Sequence, residues 1–156
     1  MASRVVIVGV GNPLARDEGL GPRAIAVLKR RGLPDGVKAI DAGTDLLAAI
    51  PDLEGAERAV LIDAVQAGCE AGTIHRFTLD ELLRKAAGGS DWRSAHDLTV
   101  VAAVCLAEAA GTPLPPTVVF GVEPGEVGLG EGLTPAVEAA LDGLIERVLA
   151  EVGAAG

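Results

Sequence analysis

Val5-Val6-Ile7-Val8-Gly9-Val10-Gly11-Asn12-Pro13-Leu14-Ala15-Arg16-Asp17-Glu18-Gly19 is the stretch that decides the fold. Its first four residues form an unbroken β-branched run with no polar alternation. That is the pattern of a strand buried on both faces. The run ends at Gly9, and the Gly/Asn/Pro-rich residues 9–13 read as a loop. A helix follows, starting at about Glu18 or Gly21 and running to Arg31. Ala24, Ile25 and Leu28 face inward, Lys29-Arg30-Arg31 suit the negative end of the helix dipole, and Gly32 is a good stop. A fully buried strand leading into a helix is the first half of a βαβ unit.

The rest of the chain repeats the alternation. Val37–Ile40 is a second strand, ending at Asp41-Ala42-Gly43-Thr44. Residues 45–50 are expected to form a short helix halted before Pro51. Ala59-Val60-Leu61-Ile62 is a third buried strand, ending at Asp63. Residues 73–77 alternate in polarity and fit an edge strand that can run antiparallel. Residues 80–87 are expected to be helical and 88–91 a loop. Ser94 begins a helix of about 16 residues, with Asp97 completing a variant capping box, and Gly111 ends it. Residues 117–120 are the last strand, and 121–132 a long loop. Thr134 is an N-cap followed by Pro135 at the first helical position. Val137, Leu141, Leu144, Ile145, Val148 and Val152 then form the apolar stripe of a packed helix. The expected fold is α/β: one three-layer domain over residues 1–156, with its core at about 4–152. A twisted, mostly parallel five-stranded sheet carries helices on both faces.

Composition bounds the function. The chain has 156 residues, 49% of them hydrophobic, which argues against disorder. Its formal charge of −9 argues against a duplex-DNA binder, and three aromatic residues make no base-stacking platform. The opening apolar run is too short for a signal peptide or a membrane span, so a cytoplasmic protein with no nucleic-acid or membrane partner is expected. Cys69 and Cys105 form no Cys-x-x-Cys motif, and Cys105 lies in an apolar run. Neither a disulfide framework nor a cysteine-based zinc site is expected. His75, in the edge strand, is expected to face solvent.

Ligands of open α/β sheets collect beyond the carboxyl ends of the strands. The polar residues there are Gly11, Asn12, Asp17 and Glu18 after the first strand, Asp41, Gly43 and Thr44 after the second, and Asp63 after the third. The first loop lacks the third glycine of a dinucleotide fingerprint, and two carboxylates follow where a pyrophosphate would need a bare helix N-terminus. They point instead to a cation. Glu18, Asp63 and His96 offer two carboxylates and an imidazole, a three-ligand set with open positions. The N-terminus of the expected helix favours the neutral, metal-binding form of His96. Each residue also has an ordinary role: Asp17 and Glu18 as first-turn acids, Asp41 and Asp63 as loop caps, His96 as a surface residue.

Taken in order, the motifs resemble a known family. Residues 9–19 are similar to the G-x-G-N…Asp-Asp/Glu-Gly opening of the [NiFe]-hydrogenase maturation endopeptidases. Asp41-Ala42-Gly43-Thr44 resembles the family's D-x-G-T, and Asp63-Ala64 its D-A. Ser94-Ala95-His96-Asp97-Leu98 resembles S-x-H-x-L. Gly121-Val122-Glu123-Pro124 and Gly132-Leu133-Thr134-Pro135-Ala136-Val137 resemble its closing pieces. The resemblance implies an endopeptidase that removes a C-terminal extension from the nickel-loaded precursor of the hydrogenase large subunit. Glu18, Asp63 and His96 match the family's catalytic, metal-contacting positions. The nickel is carried by the substrate, and no permanently bound cofactor is implied. Gly11, Asn12, Asp41, Gly43 and Thr44 are candidate substrate-binding residues, with Asp41 able to orient substrate or accept a proton. Two other functions fit the same residues: a non-enzymatic nickel carrier, and a different α/β hydrolase or nucleotide-binding module.

Overall fold

The computed structural model describes residues 4–87, 93–94, 107–111 and 113–153. Strands β1 (Val5–Gly9), β2 (Val37–Asp41), β3 (Arg58–Gln66), β4 (Ile74–Thr78) and β6 (Thr117–Val122) form one sheet in the order β2-β1-β3-β6-β4. β1, β2, β3 and β6 are parallel, and β4 closes one edge antiparallel to β6. The two-residue strand β5 (Arg93–Ser94) pairs antiparallel with Val65 and Gln66 of β3.

Alternation along the strands sorts the core into two layers. Val5 and Ile7 of β1, Val60 and Ile62 of β3, and Phe120 and Val122 of β6 face helices α1 (Leu20–Arg31) and α4 (Pro135–Gly153). The whole predicted stripe of α4, from Val137 to Val152, is buried in this layer. Val6, Val8, Leu61, Val65 and Val119 face the other way, against Leu46, Ala49, Leu53 and Leu82. These last four come from a 3₁₀ turn (Leu46–Ala49), α2 (Ile50–Leu53) and α3 (Leu79–Ala87). Full burial of each such Val, Leu or Ile contributes about 1.5–3 kcal/mol, so both faces of the sheet are strongly held.

Three expectations change. Pro51 does not halt a helix; it lies in the first turn of α2, where its missing N–H has no intrahelical acceptor to lose. Asp45 starts the preceding 3₁₀ turn by accepting from Leu47 N (2.9 Å). β3 does not end at Ile62 but continues to Gln66, because Asp63 and Ala64 still pair with Gly121 and Val122 of β6. Asp63 is therefore a strand residue and is only 2% exposed. Ser94, read as a helix start, lies in β5. Most of the helix expected after it lies outside the described residues, as does Cys105. Its far end is described: residues 107–109 are helical, and Gly111 follows at φ +77°.

The strand order sets the position of the site. α1 carries the chain from β1 to β2 on one side, and β3 pairs with β1 on the other. The gap beyond the carboxyl ends of β1 and β3 is thus the topological switch point, where open α/β sheets bind their ligands.

Candidate active site at the switch point

The turn that carries Glu18 is built by close backbone contacts. Gly11 N donates to Gly43 O (2.7 Å), and Asn12 N donates to Glu18 O (3.1 Å). A Cβ at Gly11 would overlap the Glu18 carbonyl oxygen, so only glycine lets the two segments come this close. Gly21 plays the matching part at the start of α1, where a Cβ would strike the backbone of Val10. Asn12 Oδ1 accepts from Leu14 N (3.0 Å) and shapes the loop. Asp41 Oδ1 accepts from Gly43 N (2.8 Å), an Asx-type turn, and Thr44 lies in the following turn that Asp45 N closes by donating to Ala42 O (3.3 Å). Gly11, Asn12, Asp41 and Gly43 thus form the scaffold of this rim.

A second set of contacts ties the same turn to the loop after β6. The 3₁₀ turn Arg16–Gly19 begins with Arg16 at φ +52°, a left-handed conformation unusual for a side-chain-bearing residue. Arg16 N donates to Gly130 O (3.0 Å), and its guanidinium meets Glu126 (2.9 Å). Asp17, with no solvent exposure, is the hub. Its carboxylate accepts from Gly125 N (2.7 Å), Glu126 N (3.0 Å), Thr134 N (2.7 Å) and Thr134 Oγ1 (2.7 Å). Burial pushes the Asp17 pKa up. The hydrogen bonds from Glu126, Thr134 and Gly125 together outweigh that and hold it below the ordinary carboxylate value. Thr134 stands at the helix start as expected, its carbonyl accepting from Glu138 N (2.9 Å). Its hydroxyl, however, is spent on Asp17.

Glu18 differs from Asp17 in its surroundings. It is half-buried, and among the described residues no hydrogen bond or ion pair reaches its carboxylate. The 3₁₀ turn packs against β3, which carries Asp63. Asp63 Oδ1 accepts from its neighbour Ala64 N (2.8 Å). His96 lies outside the described residues. Ser94, two positions before it in sequence, pairs with Val65, two positions after Asp63. A cavity of about 580 Å³ sits at the opposite end of the sheet, lined by Arg58, Thr78, Pro116 and Thr117 among others. It touches none of the candidate residues, so strand topology rather than cavity size marks the site.

Over residues 22–151 the sequence matches the family described as hydrogenase maturation protease, HycI. The chain belongs to this family. It is 33% identical to the hydrogenase expression/formation protein HupD of Bradyrhizobium diazoefficiens, over 97% of this chain and 80% of that protein. It is 29% identical to the hydrogenase 2 maturation protease of Escherichia coli, over 98% of this chain and 93% of that one. The solved structure of the hydrogenase maturating endopeptidase HybD from E. coli superimposes with a TM-score of 0.85 at 29% identity, covering 98% and 94% of the two chains. The protein is therefore a peptidase of hydrogenase maturation.

Two residues of this maturation protease stand apart from their sequence reading. Asp17 is an internal anchor and not a first-turn acid open to solvent or a cation. Its donors lie 108–117 positions away, beyond any local pattern. His75 does not face solvent: its side chain is 15% exposed, stacks on Phe77 at 5.7 Å, and lies 3.4 Å from Glu123 Oε1. The cause is in the register. His75 pairs with Gly121 of β6, which brings it to the end of that strand where Glu123 follows. Among the described residues no helix is long and apolar enough to cross a membrane.

Proposed function

We propose that this maturation protease removes the C-terminal extension of the [NiFe]-hydrogenase large-subunit precursor, and that it recognises the precursor by its nickel. The observation that carries the reading is the Glu18 carboxylate. It is held at the switch point by a turn anchored to two separate loops, yet it has no hydrogen-bond partner among the described residues. A carboxylate fixed in this way is prepared for a ligand that arrives with the substrate. Asp63 on the adjoining strand is the second proposed contact and His96 the third. Together they supply oxygen and imidazole donors of the kind that suit nickel.

In this reading the substrate's own nickel brings the scissile peptide to the rim. Such a metal can polarise the peptide carbonyl or lower the pKa of a water bound to it. Glu18, Asp63 and His96 fix the geometry, and the turn at Asp41, Gly43 and Thr44 lines the approach. The related proteins, a hydrogenase 2 maturation protease and a hydrogenase maturating endopeptidase, support the substrate class. The test uses purified protein with nickel-loaded and metal-free precursor, read by intact mass. Cleavage of the loaded form alone is expected; equal cleavage of both overturns recognition through nickel.

A further inference from the structure

Cys69, His75 and Glu123 converge although they come from three segments. Cys69 is in the β3–β4 connection, His75 in β4, and Glu123 directly after β6. One donor atom from each lies within 4.8 Å of the other two. None of the three belongs to the Glu18–Asp63 rim, and none is used in the proposed cleavage.

The chemistry of the set is that of a borderline divalent cation: one sulfur, one imidazole nitrogen and one carboxylate oxygen. One edge of the donor triangle agrees with such a site. In a tetrahedral zinc-type site, neighbouring donor atoms stand roughly 3.3–3.6 Å apart, given metal–donor bonds of about 2.0–2.3 Å. His75 Nε2 and Glu123 Oε1 are 3.4 Å apart, which fits that edge and is long for an N–H···O hydrogen bond.

The surroundings orient the donors as outer-shell groups orient metal ligands. The Glu123 carboxylate, 4% exposed, accepts from Ala67 N (3.0 Å) and Cys69 N (3.2 Å) through Oε1. Gly68 makes that double contact possible by turning the chain at φ +78°. His75 is fixed by its stack on Phe77. Cys69 is exposed, so an ion can enter from solvent.

We propose that Cys69, His75 and Glu123 form a second metal site that binds a zinc-type divalent cation, with the fourth position taken by water. The ion clamps the β3–β4 connection and edge strand β4 to the end of β6. The site is separate from the rim that meets the substrate's nickel. The sequence did not point to it, because Cys69 and His75 follow no metal-ligand spacing and Glu123 is 48 positions beyond His75.

Cobalt(II) titration under anaerobic, reducing conditions tests the proposal, since a cobalt–thiolate bond has its own charge-transfer absorption. The expected result is that band at one equivalent of Co²⁺, abolished in Cys69→Ser. In His75→Gln the affinity falls by at least about the 10–100-fold that even an outer-shell change produces. Glu18→Gln leaves the band intact. Any of four results overturns the proposal: no thiolate band in the wild type, a band that survives Cys69→Ser, unchanged affinity in His75→Gln, or loss of the band in Glu18→Gln. Cys69 and His75 are chosen over Glu123 because Glu123 also holds backbone amides, so its loss can disturb folding.

Discussion

The carboxylate of Asp17 accepts four hydrogen bonds from the loop after β6. That of Glu18, one residue later, accepts none among the described residues. One short 3₁₀ turn therefore presents an acid to the interior and an acid to the rim. The turn is too tight and too well tied, through Gly11, Arg16 and Asp17, to exchange the two. The difference teaches how one turn can separate two adjacent acids: the first anchors the backbone, and the second has no hydrogen-bond partner among the described residues.

The largest expected effect breaks the comparison on the rim side. Glu18→Gln should lower the cleavage rate by about 10³-fold, or about 4 kcal/mol of transition-state stabilisation. Its melting temperature should stay within about 2 °C of the wild type, because the carboxylate holds nothing within the described structure. A large drop in melting temperature would mean that Glu18 is an anchor as well.

The next effect is on the anchor side. Asp17→Ala removes all four hydrogen bonds to a buried carboxylate and should cost about 3 kcal/mol of stability in a denaturant melt. A loss below about 1 kcal/mol would show that the β6 loop is held by its other contacts. The same carboxylate sets an acid limit. Its folded pKa lies below the unfolded value of about 3.9, so its contribution is complete above that value. It is lost as the pH falls through the folded pKa. Glu151, whose carboxylate is held low by the hydrogen bond from Arg76, contributes with the same sign, its share being lost as the pH falls through its own folded pKa. Asp17→Asn should therefore flatten the acid limb of the stability curve without removing it.

The smallest effect calibrates the other two. Arg31 meets Glu146 at 2.7 Å on the surface between α1 and α4, with both side chains well exposed. Arg31→Ala should cost no more than about 0.5 kcal/mol. A larger cost would mean that exposed pairs weigh as much here as the buried anchor does.

Much of the fold is legible in the residues. The β-branched runs of β1 and β3 read as buried strands, and the stripe from Val137 to Val152 reads as a packed helix; all are so in the structure. The antiparallel edge strand was legible too, from its polar alternation. Pro51 was misread because the same residue that stops one helix can start another, and only its neighbours decide. The end of β3 was misread because Asp63 looks like a terminator in sequence, while pairing with β6 carries the strand past it.

At the site, the order of the motifs named the family and picked out Glu18 and Asp63 as candidates. The sequence alone determined the buried strands β1 and β3, the packed helix α4 and the family, because these depend on local periodicity and on residues close together in the chain. Tertiary structure alone decided which of two adjacent acids is buried, and that His75 turns inward toward Glu123. Those outcomes depend on N–H donors and side chains that arrive from positions 48 to 117 residues away. A hydrogen bond is formed by atoms that meet in space, and the pattern around Asp17 carries no record of which atoms those will be.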